Sequence, residues 1–280
     1  MTATPEAPHP PPPANPELPE GVEREPRWPW WFSLAGFGIA LGVTLVLGAL
    51  IGVVAVVLGG DLDETSPAVT IGGAVVQYVA FIGAAVGLAY LRLPPRAWHF
   101  GFRRTRFWPA LGWSALAFVS FFVLSAIYAV ALGVDEEQTT LDDLGADEST
   151  LSLVIAAVLI IVIAPVAEEF FFRGFFYRSL RTSLPTWGAA LIAGGLFGLT
   201  HVFTGVYAVP PLILFGILLC LLYEQTGSLY PPIALHAFNN TLSFLLGTEA
   251  VALSLALGAV TIAGCILVPR YAWRTAPAAR

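Results

Sequence analysis

Glu168 and Glu169 stand side by side inside an apolar run that reads as a membrane-spanning helix, and Arg173 follows four residues later. A carboxylate at membrane depth costs roughly 2.5–3.5 kcal/mol even on insertion scales, so such a residue marks a functional site by default. Two histidines occur in later apolar segments, His201 in Phe197-Gly198-Leu199-Thr200-His201 and His236 in His236-Ala237-Phe238-Asn239-Asn240. Glu169 and Arg173 have the spacing and order that favour a helical ion pair. Glu168 points about 100° away around the helix and is not the natural partner of Arg173. A self-neutralising structural pair is the plain reading of Glu169, and a hydrogen bond across a helix interface is the plain reading of either histidine alone. Phe197 and His201 are one turn apart, as are His236 and Asn240, so each pair shares a helix face.

Taken together these residues suit the activation of water. A carboxylate with two imidazoles can hold Zn²⁺ or another divalent metal and leave a position for water, with Glu168, His201 and His236 as the candidate ligands. In a metal-free alternative, Glu168 and His201 act on the water directly as general bases. Either route generates a nucleophile for a carbonyl, and His236 and Asn240 can then donate to a developing oxyanion. Hydrolysis of a peptide bond is the reaction class that uses all four. No H-E-x-x-H helix and no G-x-S-x-G elbow occurs, so the common zincin and serine-hydrolase signatures are absent.

The elements that must position these groups follow from composition. The chain is 57% hydrophobic and 11% charged, against about 25% charged for a soluble domain. Such an excess requires lipid, and only helices or closed barrels span a bilayer. Because the apolar runs are continuous, not alternating, the fold class is all-α, a polytopic membrane helical bundle. At about 20 apolar residues per span, about eight transmembrane helices are expected, at 33–58, 67–91, 108–132, 151–173, 188–204, 208–224, 229–246 and 250–269. The fifth to seventh are short and interrupted by polar residues, so one of them can be partly re-entrant. Spans four and five form a hairpin turning near Leu184-Pro185, with Pro185 suited to a first helical turn. Glu168 and His201 are nearly equidistant from that turn and so lie at similar depth. His236 sits about two turns into span seven from the arginine-bearing side, which brings the polar set to one level. Pro165 removes a backbone hydrogen bond just before Glu168, predicting a kink and a free carbonyl near Ile161. Tyr223 and Glu224 either line this cavity or sit at the interface.

All 13 basic residues are arginines. With eight spans and both termini cytoplasmic, every one falls on the same side, as the positive-inside rule requires. Two outward loops then carry only acids, Asp61, Asp63 and Glu64 in one, and Asp135 to Glu137, Asp142, Asp143, Asp147 and Glu148 in the other. The chain divides into a Pro-rich tail (1–29, with Pro10 to Pro13 consecutive), three N-terminal helices with the acidic loop (30–150), a core bearing the polar set (151–246), and a last helix with a basic end (247–280). The tail cannot build a packed core and is expected to be disordered. Trp28, Trp30 and Trp31 read as an interfacial anchor. Gly38/Gly42 and Gly48/Gly52 form small-xxx-small pairs suited to close helix packing. Cys220 and Cys265 lie in apolar stretches as small hydrophobes. No internal repeat occurs, which argues against an inverted-repeat transporter.

In order and spacing, Glu168-Glu169-x-x-x-Arg173, Phe197-x-x-x-His201 and His236-x-x-x-Asn240 resemble the three motifs of the CAAX prenyl protease and bacteriocin-processing (CPBP, or Abi) family of intramembrane metalloproteases. The resemblance covers about residues 151–246, and Phe172-Arg173-Gly174-Phe175-Phe176-Tyr177 and Thr226-Gly227-Ser228-Leu229 agree with it. It implies an eight-helix or similar endopeptidase whose cavity opens to the cytoplasmic side. By motif position, Glu168 with His201 would activate the water, Glu169 and Arg173 would be the supporting acid and base, and His236 and Asn240 would form the oxyanion site or help bind a metal. The family leaves metal dependence open. The implied partners are a peptide or protein substrate at the membrane and the lipid bilayer, with no nucleic acid; oligomeric state is left open. Eukaryotic members trim prenylated CAAX tails, whereas many bacterial ones are linked to peptide maturation or bacteriocin immunity. An Arg-only, Ala/Pro/Gly-rich composition points to a GC-rich bacterium and its plasma membrane. Two other classes compete: a non-catalytic scaffold or immunity protein, and a proton-coupled transporter using Glu168 and Glu169 as a relay.

Overall fold

The computed structural model describes residues 28–60, 66–133 and 140–272. The Pro-rich tail up to residue 27, the acids at 61–65 and 134–139, and Arg274 and Arg280 lie outside the described residues. Among those described there is no strand. Eight apolar helices carry the fold: α1 (Trp31–Val57), α2 (Pro67–Tyr90), α3 (Phe107–Leu132), α4 (Thr150–Arg181), α5 (Thr186–Leu199), α6 (Val209–Thr226), α7 (Tyr230–Gly247) and α8 (Val251–Ala272). Six segments are long and apolar enough to cross a membrane; α5 and α7 are not among them. At 14 residues, α5 spans about 21 Å against a hydrocarbon core of about 30 Å. The chain is thus a polytopic helical membrane protein, with six spans by length and composition where eight were expected.

Helix α4 is the centre of the bundle. Its N-terminus is capped by Ser149, whose hydroxyl accepts from the Ser152 amide at 3.1 Å, and residues 167–180 are buried without interruption. The sequence predicted an end at residue 173; the helix continues to Arg181 because its aromatic run is enclosed on every side. Phe171 stacks on Phe81 of α2 at 4.5 Å, Phe170 meets Phe100 at 4.5 Å, and Phe172 sets its edge against Phe197 of α5 at 5.3 Å. Such aromatic pairs add about 0.5–1.5 kcal/mol beyond the area they bury. Two π-helical stretches, Leu159–Ile163 and Phe170–Tyr177, widen the turn on either side of the glutamates. The expected kink at Pro165 is therefore absorbed as a π turn.

At its C-terminal end α4 is tied to α6. Glu224 accepts from Arg181 at 2.8 Å and from the Tyr177 hydroxyl at 2.8 Å, and Arg178 donates to the Tyr223 hydroxyl. Tyr223 and Glu224 thereby serve this junction. The 91–106 connection is pinned beneath it: the Leu229 amide donates to the Gly101 carbonyl at 2.8 Å, and the Ser228 hydroxyl to the Arg103 carbonyl at 2.6 Å. Gly101 has a left-handed φ of 98°, where only glycine is unstrained. Burial, and then the guanidinium groups of Arg178, Arg103 and Arg96, hold the His99 imidazole below its usual pKa. Kept neutral, it accepts the Arg96 amide at 2.9 Å.

The small-xxx-small pairs expected in α1 do not pack closely, and the close backbone crossing lies between α5 and α6. Gly38, Gly42, Gly48 and Gly52 meet nothing within 4 Å. A Cβ on Gly194 would sit 2.6 Å from the Ile217 backbone nitrogen of α6. Without close approach of these backbones, the short α5 could not hold Phe197 and His201 against α4. Gly194→Ala should therefore cost about 1–3 kcal/mol by overpacking and lower the thermal midpoint of the detergent-purified protein; an unchanged midpoint would contradict the close crossing.

Candidate active site

Glu168 and Glu169 project from the same buried turn of α4 into different surroundings. Glu169 and Arg173 are completely enclosed, and their Oε1···Nη1 contact is 2.8 Å. Arg173 also donates through Nη2 to the Gly216 carbonyl of α6 at 2.8 Å, and its guanidinium lies 4.6 Å from the centre of the Phe197 ring. The ion pair expected from spacing is present, and it has a third member. His236 Nδ1 lies 2.9 Å from the same Oε1 of Glu169. A carboxylate oxygen only accepts from an imidazole N–H, so Nδ1 of His236 carries the proton and Nε2 points away from Glu169.

His201 is oriented by a different device. It lies two residues beyond the end of α5, which stops at Leu199 instead of continuing to 204 as expected. The following Gly205 has a φ of 131°. Nδ1 of His201 is 2.8 Å from the Phe197 carbonyl, a pure acceptor, so Nδ1–H donates there and Nε2 is left facing inward. The Phe197 ring lies 4.9 Å from the His201 ring and 5.8 Å from that of His236. Phe197 thus separates the two imidazoles and sets their spacing.

Both Nε2 atoms face Glu168. Each is 4.0 Å from the same oxygen, Oε2, and among the described residues this buried oxygen has no hydrogen-bond partner. The side chain of His201 is 24% accessible, compared with 5% for His236 and 7% for Glu168, so the cluster is reached past His201. Three acceptors therefore converge from α4, α5 and α7. A water at hydrogen-bond distance, about 2.8 Å from each, spans such separations. Because a water has two protons to give, joining all three requires one group to carry a proton of its own. Tetrahedral metal ligands with bonds of about 2.1 Å lie about 3.3–3.4 Å apart, against the 4.0 Å from each Nε2 to Glu168 Oε2. Among the described residues, no three His, Cys, Asp or Glu side chains are grouped to hold a metal ion.

Asn240 is placed differently from the other motif residues. Its amide nitrogen donates to the Ile160 carbonyl at 2.8 Å. In the π stretch the Ala164 amide bonds the Leu159 carbonyl, five residues back, so Ile160 would be served next by residue 165. That residue is proline and has no N–H. Asn240 supplies the missing donor, and the free carbonyl expected near Ile161 is that of Ile160. Tyr78 of α2 stands close enough to Glu168 for the two to interact electrostatically. The sequence offered no signal for it, since a tyrosine in an apolar helix has many packing explanations.

A buried carboxylate facing two oriented imidazoles inside a multi-pass helical bundle defines a membrane protein built around a buried polar cluster. Residues 150–242 match the model of the Rce1-like, type II CAAX prenyl endopeptidase family, in agreement with the resemblance carried by the three motifs. The chain is 29% identical over 140 residues to an uncharacterized 24.3 kDa protein of Escherichia coli, covering 49% of this chain and 62% of that protein. It is 27% identical over 143 residues to the uncharacterized protein YyaK of Bacillus subtilis, covering 48% of each. The chain therefore spans between about half and three-fifths of the length of these curated relatives. No solved structure matches.

Removing Arg173 alone leaves Glu169 charged and unpaired in a closed interior, a loss of about 3–5 kcal/mol. Arg173→Met should therefore lower the thermal midpoint more than the double variant Glu169→Gln/Arg173→Met, in which no net charge stays buried. Equal losses in the two variants would show that the pair is not coupled.

Proposed function

We propose that this protein is an intramembrane endopeptidase that hydrolyses a peptide bond of a membrane-associated or membrane-delivered peptide with a water activated by Glu168 and His201. The observation that carries the reading is the pair of 4.0 Å separations joining Nε2 of His201 and of His236 to one unpartnered oxygen of Glu168. Glu168 takes a proton from the water as the water's oxygen attacks the scissile carbonyl, with His201 Nε2 as its second acceptor. The tetrahedral intermediate places negative charge on the former carbonyl oxygen. His236, held by Glu169 and Arg173, donates to that oxygen from Nε2 when protonated. Glu168 then returns its proton to the leaving amine. Every step runs on this chain's own residues. Asn240 acts through α4, holding open the π turn that aims Glu168.

The arginine-rich ends, among them Arg92, Arg96, Arg104, Arg106, Arg178, Arg181 and Arg270, are assigned to the cytoplasmic face by the positive-inside rule. These ends then face the cytoplasm of a bacterial plasma membrane.

Glu168→Gln keeps the shape of residue 168 and removes its basicity, and it should lower cleavage by about 10²–10⁴-fold, the range of a general base. Membrane-proteome termini compared between cells expressing wild type and Glu168→Gln at equal levels should show new termini only with wild type. Identical termini with the cellular phenotype retained would replace the enzyme with a scaffold; identical termini with the phenotype lost would favour transport. On the substrate so identified, wild-type cleavage should rise with pH through the titration of Glu168, and the limb should flatten in the variant. Dialysis against a chelator should leave the rate unchanged; a loss restored by Zn²⁺ would overturn the metal-free route.

A further inference from the structure

A second feature lies on the opposite side of α7. Ala234 and Phe238 share the face turned away from His236 and line a groove of about 720 Å³ between α3, α7 and α8. That volume falls within the roughly 300–1,000 Å³ of small-molecule sites. Its walls are apolar, from Leu111, Ala115 and Phe118 on α3 and Ile262 and Ile266 on α8. At one end the lining changes to Arg104, Arg106 and Arg270, and no aspartate or glutamate lines the groove. The Arg270 guanidinium lies 6.0 Å from the Phe107 ring, so the start of α3 and the end of α8 form the same rim. All three arginines are exposed, and among the described residues none has a carboxylate partner. Trp108, 75% exposed at this rim, is a side chain suited to the headgroup level of a bilayer.

We infer that the groove between α3, α7 and α8 binds an anionic phospholipid, with an acyl chain along its apolar walls and the phosphate-bearing headgroup at Arg104, Arg106 and Arg270. Charge complementarity selects this occupant. A hydrocarbon chain alone would fill the walls but leave three guanidinium groups without a counter-charge, whereas a soluble anion would engage the rim and leave the walls to other lipid. Guanidinium groups pair with phosphate oxygens through charge-assisted hydrogen bonds, and each basic residue near an anionic membrane surface contributes about 1 kcal/mol, roughly a fivefold preference. The inference does not depend on peptide hydrolysis, since α7 separates the groove from the cluster around Glu168.

The test is native mass spectrometry of the full-length protein in detergent, titrated with phosphatidylglycerol or phosphatidylcholine of the same chain length. Wild type should retain one phosphatidylglycerol at concentrations where phosphatidylcholine dissociates. Arg104→Gln and Arg270→Gln should each reduce that preference roughly fivefold. Ala115→Trp, at an exposed wall position, should weaken retention of both lipids by filling the chain site. Equal retention of the two lipids by wild type would overturn the inference, as would an unaltered preference in the Arg104→Gln/Arg106→Gln/Arg270→Gln variant. Displacement by glycerol phosphate would reduce the site to a headgroup pocket, and displacement by an uncharged isoprenoid alcohol would assign the walls to a different ligand; either result also overturns it.

Discussion

Arg173 and Glu169 are both fully enclosed at a depth where neither would be tolerated alone, and the geometry of the site depends on their pairing. The guanidinium neutralises the carboxylate, reaches across to the Gly216 carbonyl, and lies over Phe197. The carboxylate in turn accepts a hydrogen bond from Nδ1–H of His236. One ion pair therefore joins α4 to α6, α5 and α7, and also fixes which nitrogen of His236 faces Glu168. Taking two charges out of water is expensive. Its effect here is specificity: the helices fit together with these groups in register or leave a charge unpaired.

Around that pair the backbone departs from regular helix where the chemistry requires it. Pro165 would break an ordinary α4, but a π turn and the amide of Asn240 together satisfy the carbonyl that the proline leaves without a donor. π-helical segments recur at functional sites because the widened turn re-aims side chains, and here the turn lies immediately before Glu168. Helix α5 ends before His201, and the freed end lets Nδ1 reach the Phe197 carbonyl. Both histidines are thereby locked by acceptors of different kind, a carboxylate and a peptide oxygen. The two inward nitrogens meet one oxygen at equal distance.

The bundle also separates two kinds of polarity on α7. The face bearing His236 looks into a buried cluster reached past His201. The face bearing Ala234 and Phe238 looks into an apolar groove rimmed by arginine. Small residues at the crossing of α5 and α6 hold the first face in place, and α3 and α8 shape the second.

Much of this was legible in the chain. Long charge-free runs required a helical membrane bundle, because no soluble core could absorb them. The i,i+4 spacing of Glu169 and Arg173 identified the pair, and motif order singled out five polar residues that the structure brings together, Glu168, Glu169, Arg173, His201 and His236. Eight apolar helices stand where eight spans were expected, but among the described residues only six qualify as spans by length and composition, since α5 is 14 residues long and α7 too polar, and hydropathy does not reveal how neighbouring helices shelter such segments. Only the tertiary structure decided that His236 belongs to Glu169, that Asn240 serves the Ile160 carbonyl, and that the close backbone crossing lies between α5 and α6 and not at the Gly38/Gly42 and Gly48/Gly52 pairs of α1. The physical reason is that spacing fixes which side chains share a face of one helix. The partner across the interface is set by depth, rotation and the demand that every buried polar group be satisfied.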